Sequence, residues 1–256
     1  MRIILLGATG LVGNHLLSQL LAAAENSEII HQILVLGRNK PEVVNQLQEA
    51  FNQQVCFIKT DLVYDYETAK LISNFRSSSR LQSRLQPELQ HSRQDQCDSN
   101  PDSDILVCCL GTTIKEAGSR AAFSHVDYDL VFSSAKAAKR AGVKRMMVIS
   151  AINANVNSNV FYSKIKGQVE QAVKSLGFEQ VIVIKPSLLM GKRKAFRFAE
   201  AISAPIMKML NPILQGKLKK FRAVEGGAVA KCMVEQLNNP KQGLLEVYPT
   251  DYESTS

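Results

Sequence analysis

Short apolar clusters recur along this chain with longer amphipathic stretches between them. Arg2 to Leu6, Gln32 to Leu36, Val55 to Lys59, Ile105 to Leu110, Lys144 to Ser150, Gln180 to Lys185 and Leu244 to Tyr248 are short, nearly continuous apolar runs, as expected of strands buried on both faces. Between them, helical spacing predicts helices over Leu11 to Ala24, Pro41 to Phe51, Tyr66 to Phe75, Ala121 to Ala141, Val160 to Leu176 and Ala228 to Leu237. Gly142 and Gly177 each follow a basic last turn and read as left-handed helix ends. Strict alternation of strand and helix with right-handed crossovers predicts an α/β fold. Its core is a doubly wound parallel sheet of about seven strands with helices on both faces.

Two stretches break this rhythm. Residues 76–104 are crowded with Ser, Gln, Arg and Asp and carry Pro87 and Pro101, so they read as a mobile polar surface insertion. Residues 187–222 contain helical pieces punctuated by Pro205 and Pro212 and follow the sixth strand. They read as a small C-terminal region that covers a substrate. The whole of 1–256 is then one Rossmann-type domain with these two additions.

The first loop carries the first chemistry. Gly7, Gly10 and Gly13 lie between the apolar run Ile3 to Leu6 and the helix that begins near Leu11. Glycine at a strand end allows a sharp turn and lets a pyrophosphate approach the N–H groups of the following helix. Thr9, Leu11 and Val12 complete that loop, so this end of the chain is expected to hold a dinucleotide. At the end of the second strand, where an acidic residue would bind a ribose 2'-hydroxyl, the chain has Gly37-Arg38-Asn39-Lys40. A guanidinium there suits a 2'-phosphate, so NADP(H) is preferred, with NAD(H) as the alternative. Asp61 and Leu62 follow the third strand, where Asp61 faces the adenine amino group or serves as a turn residue.

Tyr162 and Lys166 stand one turn apart on a predicted helix, and an ammonium beside a phenol favours the phenolate. Proton transfer to or from an alcohol oxygen then becomes feasible near neutral pH. Ser150, at the end of the fifth strand, is a candidate to hydrogen-bond that oxygen.

The order of these motifs resembles an atypical short-chain dehydrogenase/reductase. Gly7-Ala8-Thr9-Gly10-Leu11-Val12-Gly13 is similar to that family's nucleotide loop, and Ser150, Tyr162 and Lys166 match its serine, tyrosine and lysine. Cys109-Leu110-Gly111-Thr112-Thr113, Phe123, Val126-Asp127 and Tyr162-x-x-x-Lys166-Gly167-x-Val169-Glu170 resemble the branch of the Tat-interacting 30 kDa protein and its bacterial relatives. The resemblance implies a carbonyl–alcohol oxidoreductase in which Tyr162 is the acid/base, Lys166 holds the nicotinamide ribose and lowers the tyrosine pKa, and Ser150 orients the substrate. It implies further that Leu110, Gly111 and Thr112 pass the ribose and nicotinamide, and that Pro186 and Leu188 border the nicotinamide amide. Asp127 stands near the place where the family often has an asparagine supporting the lysine. A second role stays open beside turnover: an NAD(P)(H)-binding regulatory or scaffold protein acting through a protein partner, or as a homodimer.

Composition narrows this picture. The net charge of +8 is concentrated between Lys185 and Arg222, where ten basic residues face Glu200 alone. Such a field attracts a phosphate-bearing ligand or an anionic surface, or is a solvated lysine-rich face. No recognition-helix pattern accompanies it, so nucleic acid is not expected. There is no run of eighteen apolar residues, so no transmembrane segment is expected. Cys56, Cys108, Cys109 and Cys232 sit in apolar settings, Cys97 lies in the polar insertion, and the four histidines form no ligand cluster. The thiols point to a cytoplasmic protein, and no metal is expected. His15 and His125 read as helix positions beside the site.

Overall fold

The computed structural model describes residues 1–26, 30, 32–45, 55–85, 104–190, 223–239 and 241–248. Seven parallel strands form one sheet: β1 (Arg2–Leu6), β2 (Gln32–Gly37), β3 (Val55–Lys59), β4 (Ile105–Cys108), β5 (Arg145–Ile149), β6 (Gln180–Ile184) and a last strand, Gly243–Val247. Their order is β3-β2-β1-β4-β5-β6 with the last strand at the far edge. The chain therefore reverses direction of travel between β1 and β4. In open α/β sheets that switch point opens a crevice at the carboxyl ends of the strands.

Alternation along each strand splits the core in two. Ile3, Leu5, Val35 and Val107 face one side, against Leu16, Leu17 and Leu20 of α1 (Leu11–Asn26) and against Val229 and Met233 of the helix Gly226–Leu237. Ile4, Leu6, Leu106 and Val148 face the other. There they meet Ile72 of α3 (Asp65–Leu85), Ala135 of the helix Leu130–Arg140, and Val169 and Val173 of the helix Phe161–Lys174. A short α2 (Glu42–Asn45) follows β2.

The expected helix over Ala121 to Ala141 is not continuous. Helices α4 (Ile114–Ala117) and α5 (Arg120–Ser124) precede a π-helical turn over His125–Asp129, and α6 (Leu130–Arg140) follows. Thr113 and Glu116 form a reciprocal capping box on α4. Next come α7 (Phe161–Lys174) after β5, a two-residue strand β7 (Leu189–Met190) after β6, its parallel partner β8 (Val224–Glu225), α8 (Gly226–Leu237) and β9 (Gly243–Val247). β7 and β8 pair through Leu189 with Val224 and Met190 with Glu225, on either side of 191–222 in the chain. That stretch, with most of the expected basic cover, lies outside the described residues.

Of the expected insertion at 76–104, residues 86–103 lie outside the described residues. Helix α3 runs on to Leu85, ten residues past the expected end. Arg76 on that helix is claimed by the interior: its Nε donates to Asp104 Oδ2 at 2.7 Å, and its Nη1 donates to the Ala141 carbonyl. Arg2 also donates to both Asp104 oxygens, at 2.8 and 2.7 Å. Both ends of 76–104 are thereby anchored to the N-terminal edge of the sheet.

Candidate active site

The glycine loop is built by contact. Gly7 has φ +75°, and a Cβ there would lie 2.5 Å from the Cys109 carbonyl. A Cβ on Gly13 would lie 2.2 Å from the Gly7 oxygen, so α1 can start this close to β1 only without a side chain. Thr9 and Gly10 are exposed, Leu11 is half-buried, and Val12 is buried, leaving its backbone to act. The first turn of α1 holds no acidic residue to oppose an anion.

Beyond β2, Arg38 and Lys40 are exposed, and neither has an ion-pair partner among the described residues. The ends of β2 and β3 are tied by the Thr60 N–H donating to Gly37 O at 3.1 Å. Asp61 is exposed. Leu62 is buried with φ +60°, a left-handed conformation costing about 1–2 kcal/mol for a side chain of this kind. Its N–H donates to Thr60 Oγ1 at 3.2 Å, which helps to hold that turn.

After β4, Leu110 is half-buried, Gly111 is exposed, and the Thr112 N–H donates to Asp127 Oδ2 at 2.8 Å. The π-helical turn aims Asp127 inward; its other oxygen, Oδ1, lies 2.7 Å from Lys166 Nζ, and both residues are buried. A Cβ on Gly111 would lie within 3.4 to 3.5 Å of these two charged atoms. Burial alone would lower the lysine pKa, but the adjacent Asp127 carboxylate outweighs it and holds the ammonium above its ordinary value, with Tyr162 and Cys108 adding to the rise. Cys108 itself is pushed up to about 11 by burial, which removes it as a nucleophile.

Helix α7 carries two adjacent stripes. Ile165, Val169 and Val173 pack inward, while Tyr162, Lys166, Glu170 and Lys174 follow one another at four-residue steps. Tyr162 is 37 % exposed, and its ring rests on the fully buried Phe123 at 5.8 Å between centroids. Gly167 lets the loop before α7 cross the helix, since a Cβ would lie 2.4 Å from Val156 N. Pro186 is buried and its carbonyl accepts from Ile152 N–H, whereas Leu188 is half exposed.

Ser150 departs from its expected orientation. Its hydroxyl donates to Glu170 Oε1 at 2.5 Å in the interior, and Glu170 Oε2 in turn receives Lys185 Nζ at 3.2 Å. Lys185 also pairs with Glu246 at 3.3 Å. The sequence-based reading missed this use of Glu170, although its place two turns below Tyr162 was a readable signal. Lys185 is likewise no member of an exposed basic face, being buried between two carboxylates. His125 is exposed and pairs with Asp129, and His15 lies on α1 beside Gly226.

Residues 67–220 match the model of a family described as HIM1. The chain belongs to the HIM1 family. It is 30 % identical over 230 residues to "Protein fmp52, mitochondrial" of Emericella nidulans, covering 90 % of this chain and 84 % of that one. It is 31 % identical over 228 residues to the Candida albicans protein of the same name, covering 88 % and 84 %. That naming overturns the cytoplasmic expectation, since both relatives are called mitochondrial. The thiols misled because Cys108 and Cys232 are buried, and burial protects a thiol in any compartment. Among solved structures, a short-chain dehydrogenase/reductase family oxidoreductase from Burkholderia thailandensis is similar with TM-score 0.64, 16 % identity and coverage of 97 % and 91 %. A Thermotoga maritima UDP-glucose 4-epimerase, solved with UDP-glucose, has TM-score 0.61, 14 % identity and coverage of 96 % and 76 %. The fold is that of the short-chain dehydrogenases and nucleotide-sugar epimerases. No helix among the described residues is long and apolar enough to cross a membrane.

Proposed function

We propose that this HIM1-family protein is an NADP(H)-dependent oxidoreductase interconverting a small carbonyl and its alcohol, with Tyr162 as the acid/base. The observation that carries this reading is the buried Lys166–Asp127 pair, one turn below a half-exposed tyrosine and beside the side-chain-free Gly111. The residues fit a dinucleotide: an open glycine loop at a helix start without acidic residues, an exposed Arg38 with Lys40 near it, and the Asp61-Leu62 turn. Leu110, Gly111 and Thr112 would pass its ribose, with Pro186 and Leu188 at the nicotinamide end. The hydride for the carbonyl carbon would come from a reduced dinucleotide held by these residues.

Tyr162 gives its phenolic proton to the carbonyl oxygen as C=O becomes C–OH, and recovers a proton from solvent through its exposed edge. Lys166 has three N–H donors, of which Asp127 engages one side, so the remainder serve the ribose and the phenol. Asp127, bonded also to Thr112 N–H, ties the lysine to the β4 loop. The motif order from Cys109 to Glu170 supports kinship with the Tat-interacting branch within this proposal.

Titration of the protein with NADPH, followed by turnover of a panel of aldehydes and ketones, tests the reading. Tyr162→Phe should retain NADPH binding and lose turnover by about 100-fold or more, the usual contribution of a positioned proton donor. Failure of the wild-type protein to bind either dinucleotide would end the proposal. Binding without turnover, with a protein partner whose recovery changes with NADPH, would favour the regulatory role.

A further inference from the structure

The short-chain resemblance would have Ser150 share the substrate oxygen with Tyr162. Its surroundings speak for another job. Ser150 is 2 % exposed, and 2.5 Å to Glu170 is the separation of a hydroxyl donating to a charged carboxylate. A hydroxyl has one proton to give, so this bond leaves none for a carbonyl oxygen, which only accepts. Glu170 is braced from three sides: by Ser150, by Lys185 Nζ at 3.2 Å, and by Lys174 Nζ at 3.7 Å. Glu246 on β9 then joins Lys185 at 3.3 Å and Lys174 at 3.4 Å, so two carboxylates and two ammonium groups alternate and their charges cancel. Ser150 and Lys185 follow the paired residues Ile149 and Ile184, so β5 and β6 present them side by side.

We propose that Ser150 is one end of a buried Ser150–Glu170–Lys185 lock rather than a substrate-binding hydroxyl, and that Glu170 is the positioning residue that holds the Tyr162 and Lys166 stripe of α7 over the sheet. The proposal rests on the oxidoreductase reading for its kinetic consequences but not for its structural ones. Glu170 sits two helical turns from Tyr162, on the same face and on the one element that carries both Tyr162 and Lys166. Rotation of α7 about its axis would therefore move both groups together. The lock opposes that rotation through a hydrogen bond from Ser150 at the end of β5 and an ion pair with Lys185 at the end of β6, and leaves Tyr162 as the proton donor at the substrate oxygen.

Ser150→Ala, Glu170→Gln and the double variant test this, with Glu170→Gln keeping the side-chain volume so that folding is retained. The expected kinetic result is that Ser150→Ala keeps kcat within about threefold of wild type, whereas Glu170→Gln loses kcat about tenfold with KM and the NADPH Kd unchanged. A loss of 100-fold or more in Ser150→Ala with unchanged thermal stability, the size expected when a donor to a developing oxyanion is removed, would overturn the proposal. In thermal unfolding, the double variant should lose less than the sum of the two single losses, because the two residues share one bond; additive losses would refute the lock. With tyrosine labelled at Cζ and the signal assigned through Tyr162→Phe, Glu170→Gln should move the Tyr162 resonance, and an unmoved resonance would refute the positioning role. The melting and resonance results decide the matter even if no carbonyl is turned over, an outcome that would defeat the oxidoreductase reading alone.

Discussion

Two buried ion clusters sit at opposite ends of the same parallel sheet and spend their hydrogen bonds differently. At the N-terminal edge, Asp104 is gripped by Arg2 through both oxygens and by Arg76, while spare guanidinium N–H groups reach the carbonyls of Arg76 and Ala141. At the C-terminal edge, Asp127 meets Lys166 and the Thr112 N–H, and Asp127 is the lysine's only ion-pair partner among the described residues. The first cluster is saturated by protein and closes a surface. The second keeps donors in hand next to an exposed glycine and a half-exposed tyrosine. Unspent donors, more than burial or charge, separate a site from a structural staple.

The same substitution at the two ends should therefore give opposite phenotypes. Asp104→Asn leaves two buried guanidinium groups facing a neutral amide and should cost about 3–5 kcal/mol of stability, with NADPH affinity per folded molecule unchanged. Asp127→Asn leaves one buried ammonium where Asp104→Asn leaves two guanidinium groups, so it should cost less stability than Asp104→Asn while changing turnover and NADPH affinity. Urea unfolding and nucleotide titration of both variants check this. If Asp104→Asn alters nucleotide binding, or Asp127→Asn leaves binding and turnover untouched, the distinction between the two clusters fails.

How far the sequence revealed these regions depends on how local each signal is. The glycine loop and the Tyr162–Lys166 step are set within a few residues, and spacing alone exposed them. The inner strands were legible because each is buried on both faces, while the edge strands Val55–Lys59 and Gly243–Val247 are partly exposed and showed through their short apolar runs. The π-helical turn was not, since Phe123 and Leu130 also suit an uninterrupted helix and the extra residue shows only once Asp127 has found Lys166. Arg76 was read as the start of a polar insertion because its partner Asp104 is 28 residues away. Ser150 was located correctly at the strand end, but its direction depends on Glu170, 20 residues on, and on Lys185 from the next strand.

Arg38 extends the comparison to the far end of the proposed nucleotide site. It is exposed and has no ion-pair partner among the described residues, so its guanidinium fork is free for a ligand. Arg38→Ala should weaken NADPH by about 1.5 to 3 kcal/mol, the range for hydrogen bonds to charged groups, while NADH changes little. Equal losses for both nucleotides would mean that Arg38 stacks on adenine or supports the fold, and the NADP(H) preference would fall.

The smallest expected effect lies at the sheet edge, where Glu246 on β9 joins the lock from a partly exposed position. Burial would raise its pKa, but Lys185 and Lys174 outweigh this and hold the carboxyl below its ordinary value. For Lys185 burial acts downward, and Glu170 with Glu246 reverses it to hold the ammonium above its ordinary value. A depressed carboxyl stabilises the fold above its unfolded pKa, and that contribution disappears as pH falls through the folded value. A raised lysine stabilises below its unfolded pKa and loses the contribution as pH rises through the folded value. Both contributions are therefore present at neutral pH. Only the acid limb belongs to Glu246 itself. With its side chain 34 % exposed, solvent screening limits Glu246→Gln to less than about 1 kcal/mol at pH 7. The gap between wild type and Glu246→Gln in urea unfolding should close as the pH is lowered from 7 through the glutamate range near about 4.3 and below. A gap that persists in acid would assign the effect to packing at the edge strand instead of to the charge, and would detach Glu246 from the lock that holds α7.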